Sequence, residues 1–349
     1  MNDDTDIDPY AHYAEQFDPA WGDEPPRRGH KLRTKTAPKK SQSQIVSELA
    51  EPVGMEAGFV TTYQPARYEV EWLRSSLRAF YEEHLIRDVL GQVKGGKEAS
   101  VYRCAADHGA DRILAAALGE AARDGKPQLL AAKVYRPRMF RNLRNDYVYR
   151  EGRTILTADG RPVKKTDHRI MRAIGKKTAF GAQVQHTSWL MHEYTTIERL
   201  YRAGAAVPLP IAFAENAILM GYYGDERRAA PTLNEVRLAP DAAAPLFEEV
   251  LRNIDLLLQH NLIHGDLSAY NILYWQGRVV LIDFPQVTDL RSNSKADAIL
   301  QRDITRVCEY FARQGVRSDP AAIMDELWGR YGETATEEGD LIDGKTNDE

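Results

Sequence analysis

Apolar side chains at helical spacing begin near residue 66. Through residues 66–83, Tyr68, Trp72, Leu73, Leu77, Phe80 and Tyr81 recur three or four positions apart, which predicts an amphipathic helix. The pattern then changes. Residues 88–104 read as extended chain broken by glycines in the middle, and residues 128–135 form a short apolar run, as a buried strand would. Helical spacing returns in residues 187–202, with Trp189, Leu190, Tyr194, Ile197, Leu200 and Tyr201 on a broad apolar face, followed by a short apolar strand at 217–222. Pro240 and Asp241 open a long helix whose stripe is Leu246, Val250, Ile254, Leu257 and Leu258. Residues 272–275 and 279–282 flank Gln276-Gly277-Arg278, which predicts a hairpin with a three-residue turn centred on Gly277. That register sets Asn271 opposite Asp283. Residues 297–314 and 321–331 read as closing helices. The order is strand-rich in the first half and helical in the second, an α+β arrangement in two lobes.

Charge divides the ends of the chain from this patterned middle. Residues 1–24 hold acids and no Lys or Arg, whereas residues 25–47 hold no acid and carry Arg27, Arg28, Lys31, Arg33, Lys35, Lys39 and Lys40. Neither stretch has the apolar content to offset its ordering entropy, so residues 1–65 are expected to form a disordered arm. Its basic part, 27–40, has the chemistry to grip RNA phosphates, although charge blocks of this kind are more often solvated tails. Residues 333–349 turn polar and acidic and read as a second disordered tail. Between them the boundaries fall at 66–220 for a first lobe and 221–332 for a second. The 349 residues, 43% apolar and 28% charged, can form one large two-lobed domain or two ordinary ones. No apolar run approaches the roughly 20 residues that span a bilayer, and the acidic start lacks a signal-peptide order; a soluble cytoplasmic protein without membrane attachment is expected. Cys104 and Cys308 stand apart from each other and from metal-type spacing, which predicts two buried thiols.

Three pieces of chemistry sit on these elements in order. Residues 91–102, GQVKGGKEASVY, place flexible glycines between strands, with Val101 following; such a turn can cover a nucleotide, but alone it is no more than a turn, and it matches neither a dinucleotide fingerprint nor a Walker loop. Lys133 lies inside an apolar strand, where a charge is costly unless paired, and Glu193 on the following helix is the proposed partner. The strongest signal is HGDLSAYN at 264–271 followed by Leu281-Ile282-Asp283-Phe284. Asp266 and Asn271 have the aspartate-x-x-x-x-asparagine spacing of phosphoryl-transfer loops. Asp266 would orient a hydroxyl and accept its proton, while Asn271 and Asp283 would hold Mg2+, with Mn2+ as a substitute.

Gly96-Lys97-Glu98-Ala99-Ser100-Val101-Tyr102, Lys133-Val134-Tyr135-Arg136, Trp189 with Glu193, residues 264–273 and Ile282-Asp283-Phe284-Pro285-Gln286 together resemble the RIO-type atypical serine/threonine protein kinases, nearer the RIO1 branch, over roughly residues 85–310. The resemblance implies a bilobal protein-kinase-like fold in a trimmed form, without a full activation loop or peptide platform. It implies that Gly96, Lys97, Ser100, Val101, Lys133, Glu193, Met220, Gly221, Tyr223 and Leu273 surround ATP, with Ser100 and Lys133 at the phosphates, Met220 at the back of the adenine pocket and the backbones of Gly221 and Tyr223 at the adenine edge. It further implies that Asp283 accepts a phosphate itself, giving an ATPase-like cycle, that the protein phosphorylates itself, and that a ribosomal-subunit precursor is its partner. A Gly at 265, where many conventional kinases carry a phosphate-binding Arg, implies activity independent of activation-loop phosphorylation and poor use of extended peptides. The stretch between Arg136 and Gln185, with Tyr147, Tyr149, Thr154, Thr157 and Thr166, resembles the family's flexible insertion.

Two other functions fit parts of this pattern. Aminoglycoside- and choline-kinase-like phosphotransferases share the fold and the His-Gly-Asp loop but usually carry Pro or His where Ser268-Ala269-Tyr270 stand here. A nucleotide-binding scaffold without catalysis would have little reason to keep Lys133, Glu193, Asp266, Asn271 and Asp283 together.

Overall fold

The computed structural model describes residues 59, 61–96, 98–118, 128–136, 153–157, 160–164, 166–176 and 178–343, with side chains up to 332 and a few others excepted. The basic segment 27–40, nearly all of the expected arm, Lys97, Tyr147 and Tyr149 lie outside the described residues.

A five-stranded antiparallel sheet in the order β1-β2-β3-β5-β4 forms the first lobe: β1 Ile86–Gly95, β2 Ala99–Ala106, β3 Leu129–Tyr135, β4 Pro210–Ala214 and β5 Ala217–Gly221. Helix α1, Arg67–Glu82, lays Leu73, Leu77 and Phe80 onto one face of it, against Tyr102, Cys104, Leu130, Ala132 and Leu219. Burying each of these large side chains stabilises the lobe by about 1.5–3 kcal/mol. The other face meets α4, Ala179–Arg202, through Ala131, Tyr135, Ile218 and Met220 packed on Trp189 and Leu190. Strand alternation therefore decides the chemistry of β3. Its even positions, Leu130, Ala132 and Val134, face α1, and its odd positions, Ala131, Lys133 and Tyr135, face α4.

The second lobe is mostly helical. Helices α5, Pro240–Gln259, α6, Ala296–Arg313, and α7, Pro320–Asp343, enclose a core of Leu246, Phe247, Val250, Leu257, Ile304 and Phe311. Phe247 and Phe311 meet with ring centroids 5.2 Å apart. Two small ribbons lie beside them, β6 Leu262–Ile263 with β9 Thr288–Asp289, and β7 Ile272–Trp275 with β8 Arg278–Leu281. This is the bilobal kinase-like fold. Helix α2, His108–Leu118, strand β4 and helix α3, His168–Gly175, are present in addition to the elements read from the sequence, although α2 and α3 are amphipathic.

Four local expectations need correction. The β7–β8 turn has two residues, because Trp275 pairs with Arg278, and Gln276 and Gly277 take φ of 49° and 78°. Two successive left-handed residues are what a tight hairpin in a right-twisted ribbon requires. The register consequently shifts by one, and Asn271 lies opposite Ile282, whose N–H donates to the Asn271 carbonyl at 2.9 Å. Second, α4 begins at Ala179 rather than 187, with Thr178 Oγ1 accepting the Gly181 N–H at 3.1 Å as its cap. Third, the insertion contains a formed helix, α3. Fourth, α7 continues to Asp343, past the boundary set at 333; Ala335, Glu337 and Glu338 favour helix there, although Thr334, Thr336 and Gly339 do not.

Both cysteines are buried. Burial pushes the Cys104 thiol up to about 12, and burial also raises that of Cys308. In native protein at pH 8, iodoacetamide is expected to label neither thiol on the timescale of free cysteine, and both after unfolding in guanidinium, read by mass spectrometry.

Candidate active site

Lys133 points off β3 toward α4 and is clamped there. Its Nζ lies 2.6 Å from Glu193 Oε1 and 2.6 Å from Asp283 Oδ1. Glu193 is 1% exposed and Lys133 11%, so both charges are removed from water, whereas the Asp283 side chain, 44% exposed, opens onto the cavity. Burial by itself would discharge the Lys133 ammonium. The Asp283 and Glu193 carboxylates more than offset that and hold it well above its ordinary value. Asp283 shows the mirror image: burial pushes its carboxyl up, and the Lys133 charge and hydrogen bond bring it below the ordinary aspartate range. Tyr135, next on the same face of β3, donates its hydroxyl to Glu193 Oε2 and lies edge-on to Trp189 at 5.0 Å. The Trp72 indole donates to the Tyr135 carbonyl at 3.0 Å, tying α1 to this end of the strand.

The loop 264–271 is shaped by backbone. His264 accepts the Asp266 N–H on Nδ1 at 3.3 Å and contacts the Ile282 carbonyl through Nε2 at 3.1 Å, a pairing that requires the Nε2–H tautomer. Gly265 has φ 83°, and a Cβ there would collide with the Gln286 carbonyl. Its N–H donates to Asp303 Oδ2 at 2.8 Å, and its carbonyl accepts from Arg302. Burial raises the carboxyl of Asp303, partly countered by His264 and Arg302. Position 265 thus has no room for any side chain, let alone an arginine. Gly265→Ala is expected to destabilise the protein by about 2 kcal/mol through left-handed strain and the clash, measured by urea unfolding.

Asp266 is held from both sides. Asn271 Nδ2 donates to its carbonyl at 2.8 Å and to its Oδ2 at 3.1 Å, and Arg306 Nη1 lies 2.9 Å from its Oδ1. Arg306, on α6, is a functional residue that sequence reading missed. In sequence it is one more polar residue on a helix surface, and only the packing of α6 under the loop brings it here. Arg153 was also missed: it donates to the Pro285 carbonyl at 2.9 Å and to that of Val287, steadying the chain just after Asp283.

Part of this arrangement borders a cavity of about 920 Å³ between the lobes. Gly96, Val101, Lys133, Glu193, Met220, Gly221, Tyr223, Asp266, Asn271, Leu273 and Asp283 all border it. Ser100 does not. It is buried at 4% exposure on the even face of β2 with Tyr102, while Ala99 and Val101 face the cavity, so its side chain is turned away from any phosphate there. The Gly221 N–H is bonded to the Leu209 carbonyl at 2.8 Å and the Tyr223 carbonyl to the Ala230 N–H at 2.9 Å. A planar edge at this strand end would therefore have to use the Gly221 carbonyl and the Tyr223 N–H.

A hard divalent cation suits the far end of the cavity. With Nδ2 of Asn271 committed to Asp266, its amide oxygen is the group left over, and Asp283 keeps Oδ2 beyond the oxygen bonded to Lys133. Two oxygen donors on neighbouring strand ends fit Mg2+ or Mn2+ and suit softer metals poorly.

A model of the RIO domain family matches residues 148–323. The chain belongs to the RIO domain family. The family match begins after β3, so the glycine turn and Lys133 stand outside it and join the site through the sheet. The RIO-type serine/threonine-protein kinase Rio1 of Haloferax volcanii is 34% identical over 147 residues, 42% of this chain and 49% of that protein. A protein of the same name from Thermoplasma acidophilum is 31% identical over 139 residues, 40% of this chain and 72% of that one. The serine/threonine-protein kinase RIO1 of Chaetomium thermophilum is 28% identical over 244 residues, 67% of this chain and 41% of that protein. The chain thus aligns with about half of the Haloferax protein and less of the Chaetomium one.

Proposed function

We propose that this RIO-domain protein is an ATP-dependent phosphotransferase, a serine/threonine kinase that turns over chiefly as an ATPase with Asp283 as first phosphate acceptor. One observation carries the reading: Lys133, Glu193, Asp266, Asn271 and Asp283, drawn from both lobes, meet at a single cavity. A bound divalent cation would supply charge neutralisation of the phosphate oxygens, with Asn271 and Asp283 as its protein donors. Asp283 is exposed to the cavity and takes φ 72°, a conformation that a non-glycine residue rarely adopts and that turns its carboxylate back toward Lys133. In the first step a carboxylate oxygen of Asp283 bonds to the γ-phosphorus as the bond to the ADP oxygen breaks, and ADP leaves. A water, or a serine or threonine hydroxyl, then attacks the phosphorus of the aspartyl-phosphate. Its proton passes to Asp266, the Asp283 carboxylate departs, and orthophosphate or a phosphoester results.

Labelled γ-phosphate followed from Mg-ATP in wild type, Asp266→Ala and Asp283→Ala tests this. Free phosphate together with a transient, hydroxylamine-sensitive acyl-phosphate that disappears in Asp283→Ala supports the cycle. Transfer to an aminoglycoside or choline instead would favour a small-molecule phosphotransferase, and no labelled product despite ATP binding would leave a scaffold. A role in ribosomal-subunit maturation accompanies the family resemblance; co-sedimentation with precursor subunits that depends on residues 27–40 would support it.

A further inference from the structure

Well away from the cavity, two turns of the first lobe bring three metal-capable side chains together. His84 ends the turn after α1, and Asp107 and His108 form the corner between β2 and α2. His84 Nδ1 lies 3.5 Å from Asp107 Oδ2, His108 Nδ1 lies 3.0 Å from Asp107 Oδ1, and the ligand atoms of all three fall within 4.8 Å of one another. The two imidazole rings are 4.6 Å apart, centroid to centroid. None of the three borders the cavity described above.

Backbone holds this juxtaposition in place. The Asp107 N–H donates to the Leu85 carbonyl at 3.0 Å, and the Gly109 N–H to the His84 carbonyl at 2.9 Å. A Cβ at Gly109 would stand 2.7 Å from the carbonyl oxygens of Glu83 and His84, so only glycine lets the turns approach this closely. His84, at φ 55°, sits in the left-handed region from which its ring leaves the turn beside Asp107. Asp107 also accepts the His108 N–H at 2.8 Å, a bond that draws its carboxyl below the ordinary range and keeps it anionic. Both imidazoles are largely exposed, so coordination positions remain for water.

We propose that His84, Asp107 and His108 form a surface site for a borderline transition-metal ion, Zn2+ foremost, that staples the end of α1 to the β2–α2 corner. Two imidazole nitrogens and one carboxylate oxygen are the donor set of Zn2+, Co2+ and Ni2+, whereas Mg2+ and Ca2+ want oxygen alone. The ligands come from two segments already tied to each other, so little ordering cost falls on binding, and an ion bound only to the folded state raises its stability.

The test uses the full chain, titrated with ZnCl2 and separately with MgCl2 by calorimetry, with thermal unfolding beside it. Variants His84→Asn, which tolerates the left-handed backbone, and His108→Ala remove one ligand each from different segments. One saturable Zn2+ per chain at micromolar concentration, a rise in Tm with Zn2+ but not Mg2+, and at least tenfold weaker binding in both variants are expected. Zn2+ binding that survives in both variants, or none at micromolar concentration in wild type, would overturn the assignment and leave the cluster as hydrogen-bonded His–Asp pairs. A Co2+ titration guards against a variant that fails to fold: the visible bands expected of Co2+ in wild type must be lost in whichever variant keeps its metal-free Tm, and their persistence there would also overturn it.

Discussion

Asp266→Asn should lower kcat for phosphate release by about 10²- to 10⁴-fold, the usual contribution of a positioned proton acceptor. The substitution keeps the shape of the side chain and the bond from Asn271 to the residue 266 carbonyl, and gives up one side-chain acceptor and the ion pair with Arg306, so the loop should stay folded. What disappears is the capacity to take a proton from water or a hydroxyl. Under the proposed cycle the first step needs no such acceptor, because Asp283 attacks as a carboxylate. The variant should therefore still form acyl-phosphate and accumulate it, with KM for ATP falling alongside kcat because the first step is untouched. Rapid quench with acid, followed by hydroxylamine, measures both quantities. A variant as fast as wild type would remove Asp266 from the proton's path, and a slow variant without trapped acyl-phosphate would place the loss before phosphate reaches Asp283.

The second large effect belongs to stability. Glu193→Ala removes one partner from a buried ion pair and leaves the Lys133 ammonium with Asp283 alone, with the Tyr135 hydroxyl deprived of its acceptor. Breaking such a pair costs about 3–5 kcal/mol, against a total stability of roughly 5–15 kcal/mol for a typical domain. Asp283 still bonds Lys133 at 2.6 Å and should keep the loss from exceeding that range. Glu193→Gln, which retains acceptors for both neighbours, should lose about half as much or less. Lys133→Met combined with Glu193→Met should recover part of the deficit, since the charge it leaves without a partner, Asp283, is 44% exposed. Urea unfolding of wild type, Lys133→Met, Glu193→Met and the double variant provides the cycle. Additive losses in the double variant would mean that the two charges do not interact.

Much of this site was legible before any fold was known, and the reason is local. Asp266 and Asn271 lie on one loop, and their spacing alone brings amide to carboxylate. Lys133 announced itself because a charge within an apolar strand demands a partner, and the face opposite α1 is the one where α4 supplies Glu193. Alternation with period two governs both facts. The family resemblance, not alternation, put Ser100 at the phosphates; the pairing of β2 to β3 sets the phase that turns it toward the α1 face. The hairpin failed for a related reason: Gln276 adopts positive φ, so the turn closes one residue sooner than Gly277 alone suggests and moves Asn271 opposite Ile282.

The sequence by itself determined the two-lobed α+β order, the apolar stripes of α1, α4 and α5, and which residue types carry phosphoryl chemistry, because periodicity and spacing act over a few residues. Only the tertiary structure decided that Arg306 and Arg153 reach the site, that Asp303 receives the Gly265 N–H, that position 265 has no room for a side chain, and that His84 meets Asp107 and His108. Each of these depends on two segments far apart in the chain being pressed together, and contact at such separations is fixed by packing of whole elements, which no local pattern encodes.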